Sequence, residues 1–173
     1  MSTQYWNITG FIGPGLAALA LSSVLVTLPA RAAWTVVLKP DPLTRQSRCL
    51  ALSEVRVTPD GYDSTPVTLV FNGVSLLAVT ESELDPSFSD LKLVVDKEPP
   101  LFSQKLAHKN MTLVFDQDLP RLIQMLRTGR QAMVYLRFWP TWPVTESFAV
   151  PFNLLGFSKA FDALNQPCQP PAG

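Results

Sequence analysis

The segment TPVTLVFNGVSLLAVT (residues 65–80) constrains this chain more than any other, because it reads as two strand-forming runs folded about a turn. Both runs are rich in Val, Leu and Thr, or carry Phe, residue types that suit a pleated and half-buried surface. Between them Asn72 and Gly73 tolerate the positive φ that a two-residue hairpin requires, so this pair is expected at the turn. A lone hairpin is marginal in water, so further strands must cover its apolar face.

The remaining sequence supplies such strands. Sixteen prolines fall between short apolar runs whereas glycine is sparse, a pattern that fits a β-rich fold with many turns better than a helical bundle. WTVVLKP (34–40) reads as a first strand and CLALSEVRVTPDG (49–61) as a second closed by a turn. DLKLVVDK (90–97) alternates until Pro99 and Pro100 break it, and PLFSQKLAHKNMTLVF (100–115) holds two short strands around the polar HKN turn. In DQDLPRLIQMLRTG the period changes: Leu119, Leu122, Ile123 and Leu126 share one helical face. Asp116 and Asp118 are expected to cap this helix, Pro120 fits its first turn and Gly129 ends it.

Alternation then returns in QAMVYLRF. Ala132, Val134, Leu136 and Phe138 share one face, with Met133, Tyr135 and Arg137 on the other. Phe148, Val150 and Phe152 alternate again and are expected to pair antiparallel with the preceding strand. LLGFSKAFDALNQPC offers a closing helix with Phe157, Phe161 and Leu164 inward. The expected fold is mainly β, an antiparallel β-sandwich or partly closed barrel with one or two short helices.

Residues 11–28 carry no charge, and Pro29 stops any helix before Ala30-Arg31-Ala32. Small residues at the −3 and −1 positions predict signal-peptidase cleavage after Ala32. The expected organisation is a signal peptide over 1–32, a β-sandwich domain over 33–166 and a proline-rich tail over 167–173. The first ten residues hold no Lys or Arg, which leaves an uncleaved membrane anchor as the alternative. Export to the periplasm or medium places the mature cysteines, Cys49 and Cys168, where an even pair becomes a disulfide. Enclosing so long a loop contributes about 4–5 kcal/mol in the loop-entropy treatment. Two unpaired buried thiols are the alternative.

Taken together, the signal-like segment, Trp34 at the mature start, the early Cys49, LIQMLRTG leading into a strand and FNLLGFSKAFDAL (152–164) resemble the invasion-associated locus B family of exported bacterial proteins. The last block is the most specific, and a looser resemblance covers most of the second half. The family tends to carry another cysteine pair just before the region corresponding to DLPRLIQML, and this chain has none there. The resemblance implies an envelope protein tied to the bacterial surface and host-cell interaction, without an established catalytic chemistry.

Few residues are arranged for chemistry. Fourteen basic and fourteen acidic residues balance, which argues against electrostatic capture of nucleic acid or anionic membrane. His108 is the only histidine and sits in a turn beside Lys105 and Lys109, a poor position for a catalytic base and insufficient for a multi-histidine metal site. Carboxylates cluster as Asp60 and Asp63, as Glu81, Glu83, Asp85 and Asp90, and as Asp116 and Asp118, without EF-hand spacing; solvated turns are expected. There is no GxSxG, phosphate-cradling loop or dinucleotide fingerprint, so no catalytic residue, metal or cofactor is expected.

The stretch RFWPTWP stands apart. Continued alternation puts Trp139 with Arg137 and Tyr135 away from the core, with Arg137 able to stack on a neighbouring ring. Aromatic and arginine side chains dominate interface energetics, and prolines stiffen the loop. Tyr135, Arg137, Trp139 and Trp142 are therefore the candidate binding residues, with Trp142 expected to fold inward and Trp139 to stay out. The competing expectation is that both rings fold over the sandwich edge and protect it. The function expected is a non-enzymatic module that binds another envelope or secreted protein or a host surface. The alternatives are an exported hydrolase whose carboxylates converge only in the fold, and an inhibitor or assembly factor for an envelope component. Membrane contact is expected only through an uncleaved signal segment.

Overall fold

Alternating buried and exposed side chains resolve into eleven strands and two helices among the described residues. These are residues 1–2, 33–142, 146–164 and 166 of a computed structural model. The chain divides into two compact units, Met1–Ala30 and Arg31–Gly173, and everything below concerns the second. The predicted signal segment from residue 3 onward and the proline-rich tail lie outside the described residues, as does Cys168.

The strands are β1 (Trp34–Pro40), β2 (Ser47–Ser53), β3 (Arg56–Pro59), β4 (Ser64–Phe71), β5 (Leu76–Thr80), β6 (Lys92–Val95), β7 (Leu101–Phe102), β8 (Leu106–Ala107), β9 (Thr112–Phe115), β10 (Gln131–Leu136) and β11 (Phe148–Asn153). Helix α1 (Leu119–Thr128) precedes β10, and α2 (Phe157–Leu164) follows β11. Two antiparallel sheets form a β-sandwich. The larger runs β1-β2-β4-β5-β9-β8, with β3 also on β4, and the smaller runs β11-β10-β6-β7. The predicted pairing of β10 with β11 is present from Gln131 opposite Asn153 to Leu136 opposite Phe148.

Period-two alternation decides which residues enter the core. Val67, Leu69 and Phe71 of β4 meet Leu76 and Ala78 of β5, and Ala132, Val134 and Leu136 of β10 join them from the other sheet. On the outer face of the large sheet Leu50, Val70, Leu77 and Val114 make a second cluster, covered by Leu43 and Ala107. Helix α1 begins as expected: the Asp118 carboxylate accepts the Arg121 N–H. Asp116 does not cap; it pairs with Lys105. Gly129 ends the helix by turning to an extended conformation, and nothing larger fits there. A Cβ there would lie 2.4 Å from Val95 Cγ1 and 2.7 Å from the Met125 carbonyl oxygen.

Two local expectations are corrected. The run predicted as one strand over 49–61 breaks after Ser53, and β2 and β3 pair with opposite halves of β4. The Leu69 N–H beside the break is taken by the Ser53 hydroxyl at 2.9 Å, so the break leaves no orphan donor there. The β4–β5 turn is shifted by one residue. Its central pair is Gly73 and Val74, closed by the Asn72 N–H donating to the Ser75 carbonyl at 3.2 Å. Gly73 takes φ 95°, the positive value that the first central position of a II′ turn needs. Asn72 is held outside the turn because its amide donates to the fully buried Asp41 at 3.0 Å, while its side-chain oxygen accepts the Val74 and Ser75 N–H groups.

Candidate functional site

Three loops meet at the end of the sandwich opposite the Asn72 turn: 60–63 between β3 and β4, 81–91 between β5 and β6, and, between β10 and β11, the described residues 137–142 and 146–147. Pro140 lacks the N–H a ladder needs, so β10 gives way to a loop; the Trp139–Pro140 peptide is cis. Before that point the chain is pinned by a bridge between Leu84 and Phe138. The Asp85 N–H donates to the Arg137 carbonyl at 2.9 Å, and the Trp139 N–H donates to the Glu83 carbonyl at 2.8 Å.

Arg137 points away from the core, as alternation predicts, yet it is only 7% exposed because the 81–91 loop folds over it. Its guanidinium donates to Asp90 through Nε at 2.9 Å and through Nη2, and lies 4.3 Å from the centre of the Phe88 ring. The expected cation–π contact is thus present, with Phe88 as the ring. Tyr135 is half-buried beneath Lys92, whose ammonium sits 4.6 Å from its ring centre.

Asp85 is a second brace, and it corrects the expectation that this acidic run is a solvated turn: it is 2% exposed. Its carboxylate accepts the Ser87 N–H at 2.9 Å and the Thr141 hydroxyl, tying the 81–91 loop to the segment 137–142. Burial is the largest single influence and pushes its pKa up. The hydrogen bonds from Thr141 and Ser87, with the charge of Arg137, together outweigh it and hold the carboxyl below the usual range. Asp60 is also held low, first by the Ser82 hydroxyl at 2.6 Å and then by the Asp63 and Tyr62 N–H groups. The β8–β9 turn adds a further hook. Lys109 and Asn110 take positive φ, the Asn110 carbonyl accepts the Leu84 N–H at 2.9 Å, and its amide donates to Glu83.

On this braced frame both tryptophans face solvent. Trp139 is 58% exposed and Trp142 77%, so the expectation that Trp142 folds inward is corrected, and neither indole is laid over the core. The inward expectation rests on strand alternation, which does not hold at Trp142. Tyr62, also exposed, donates its hydroxyl to the Trp142 carbonyl at 2.7 Å and brings the 60–63 loop to the same surface. Alternation located Arg137, Tyr135 and Trp139. It carried no signal for Tyr62, Phe88 or Thr141, whose roles depend on loops distant in sequence. Charge is also concentrated here. The three loops hold seven carboxylates (Asp60, Asp63, Glu81, Glu83, Asp85, Asp90 and Glu146) and a single basic residue, Arg137.

Because both carboxylates are depressed by contacts made only in the fold, they stabilise the protein above their unfolded pKa, near 3.8 for each. That stability should be lost as pH falls through the lower folded values. Urea unfolding measured over an acid series should show the decline, and Asp85→Asn should flatten it. An unchanged slope in the variant would remove Asp85 from the brace.

Elsewhere, a cavity of about 620 Å³ is lined by residues that include Phe102, Ser103, Gln104 and Lys105 and contains no carboxylate. A second, of about 550 Å³, is lined by residues that include Asp96 and Glu98, and the two Asp96 oxygens already accept the Arg130 and Gln131 N–H groups. For the hydrolase alternative the first cavity shows no acid among its described lining residues, and in the second one of the two acids is engaged by backbone N–H groups. Among the described residues no group of three or more His, Cys, Asp or Glu is placed to hold a metal ion. His108 is half-buried rather than solvated, with Nδ1 3.0 Å from Arg45.

No protein-family model matches the chain. No curated protein matches it either. Among solved structures, the crystal structure of invasion associated protein B from Bartonella henselae aligns with 78% of this chain and 92% of its own, at 15% identity and a TM-score of 0.50. At that identity the likeness is one of fold: the chain shares its β-sandwich, distantly, with an invasion-associated bacterial protein.

Proposed function

We propose that the chain is an exported β-sandwich protein that binds another envelope or secreted protein through the Trp139–Trp142 loop, without catalysing a reaction. One observation carries this reading: two exposed indoles stand on a segment that Arg137, Asp85 and Tyr62 hold in place. Large aromatic side chains presented on an ordered loop lose little freedom on binding, which is the economy of an interface anchor. The uncharged run over 11–28 and the fold shared with invasion associated protein B support an envelope or secreted location.

Trp139→Ala and Trp142→Ala should each change stability by less than about 1 kcal/mol, as exposed substitutions do. The wild-type chain should capture a protein from an envelope extract of its own organism that the double variant does not retain. A stability loss of about 3–5 kcal/mol from either substitution would show a buried structural ring and end the recognition reading.

Export also favours a Cys49–Cys168 disulfide, and none of the described cysteines is a free thiol. Reductant should lower the melting temperature of the wild type but not of Cys168→Ser, by an amount corresponding to about 4–5 kcal/mol in the loop-entropy treatment. Two alkylatable thiols in the native oxidised protein would rule the bond out.

A further inference from the structure

The surface that carries the indoles has a sign. Asp63, Glu81, Glu83 and Glu146 are exposed on the segments that meet at this end of the sandwich, as are Tyr62, Trp139 and Trp142. Contacts seat two of them beside the rings: Trp139 bonds the Glu83 backbone, and Tyr62, next to Asp63, bonds the Trp142 backbone. The one basic residue of these loops, Arg137, is buried and paired with Asp90. Lys109 in the adjoining turn and Lys92, which follows the 81–91 loop and lies over Tyr135, are the cations nearby. A chain with balanced charge overall therefore presents a negative field at its aromatic end.

Resting on the binding role proposed above, we infer that this surface takes a cationic partner segment, one that brings lysine or arginine side chains over the indole faces and between the carboxylates. The chemistry is doubly matched. A guanidinium or ammonium is attracted by the electron-rich face of an aromatic ring, most strongly by tryptophan. The same cation satisfies carboxylates that otherwise repel one another. The acidic rim also disfavours the other occupants: a second copy would bring like charges together, and nucleic acid or an anionic membrane would be repelled. A neutral glycan could stack on the rings but would leave the carboxylates without a charge partner.

The test is a titration of the purified chain with a labelled peptide of alternating arginine and glycine. Its glutamate counterpart and a neutral chitin oligosaccharide serve as parallel probes. The arginine peptide should bind, and its affinity should fall about tenfold or more between about 20 and 200 mM salt. Glu81→Gln with Glu83→Gln should weaken it about tenfold, as should Trp139→Ala with Trp142→Ala. Glu98→Gln with Asp162→Asn removes the same two charges from exposed positions outside these loops and should change little. Equal weakening by that control pair, or retention after loss of both indoles, would overturn the assignment of this site. Binding of the glycan alone, dependent on tryptophan and indifferent to salt, would overturn the cationic partner while leaving the aromatic loop as a recognition surface. Failure of the arginine peptide to bind at low salt would likewise overturn the cationic assignment, with the recognition role still judged by the capture experiment.

Discussion

Phe157→Ala is expected to destabilise the protein by about 3–5 kcal/mol, the range for removing a fully buried aromatic ring. Phe157 has no exposed surface, and its ring meets Trp34 edge-on at 4.9 Å and Phe71 edge-on at 5.6 Å. It joins α2 to the first and fourth strands, while the Trp34 indole N–H donates to the Asn153 carbonyl at 2.9 Å and closes the seam to β11. Alanine would leave a void walled by two rings that cannot both move into it. Phe161, half-buried one helical turn further on and partly covered by Arg127, should cost clearly less. Denaturant unfolding of both variants gives the comparison. Equal losses would mean that α2 packs through its whole face and not through Phe157.

Arg137→Ala should cost about 2–3 kcal/mol, somewhat below the loss for breaking a fully buried ion pair because Asp90 is partly exposed. The side chain of Arg137 is 9% exposed and that of Asp90 26%. Removing the guanidinium strands a half-buried carboxylate, uncovers the Phe88 ring and takes away a charge that helps keep Asp85 ionised. Asp90→Asn in the same background should add little, because its partner is already gone. A loss under about 0.5 kcal/mol from Arg137→Ala would put the pair with ordinary surface salt bridges and leave the loop without its main brace.

Much of the fold was legible because single-strand and single-helix patterns are local. The limits of β1, the apolar stripe of α1 and the antiparallel pairing of β10 with β11 follow from periods of 2 and 3.6 with their punctuation. The errors fall where a distant residue decides. Val55 and Val57 keep strand propensity across the β2–β3 break, and it is the switch of partner along β4 that parts the strands. Asn72 has the conformational tolerance for a turn centre, but the buried Asp41 claims its amide and the turn moves on by one. Alternation placed Arg137 on the outer face and was silent about the loop that buries it. An outward parity on a strand says which way a side chain leaves the sheet, and only the fold says what lies above.

Trp139 and Trp142 are both exposed, on a segment held by Asp85 and Tyr62. Incorporating 5-fluorotryptophan and assigning its 19F resonances with Trp139→Phe and Trp142→Phe tests both halves at once. Each of the two indoles should give one sharp resonance that shifts between H2O and D2O, while buried Trp34 does not shift. Arg137→Ala should broaden or split the pair. Resonances of Trp139 and Trp142 that ignore the solvent isotope would place the rings in the core. Resonances already broadened or averaged in the wild type would show a loop that is not held, and either result would rule out an exposed, held pair of indoles.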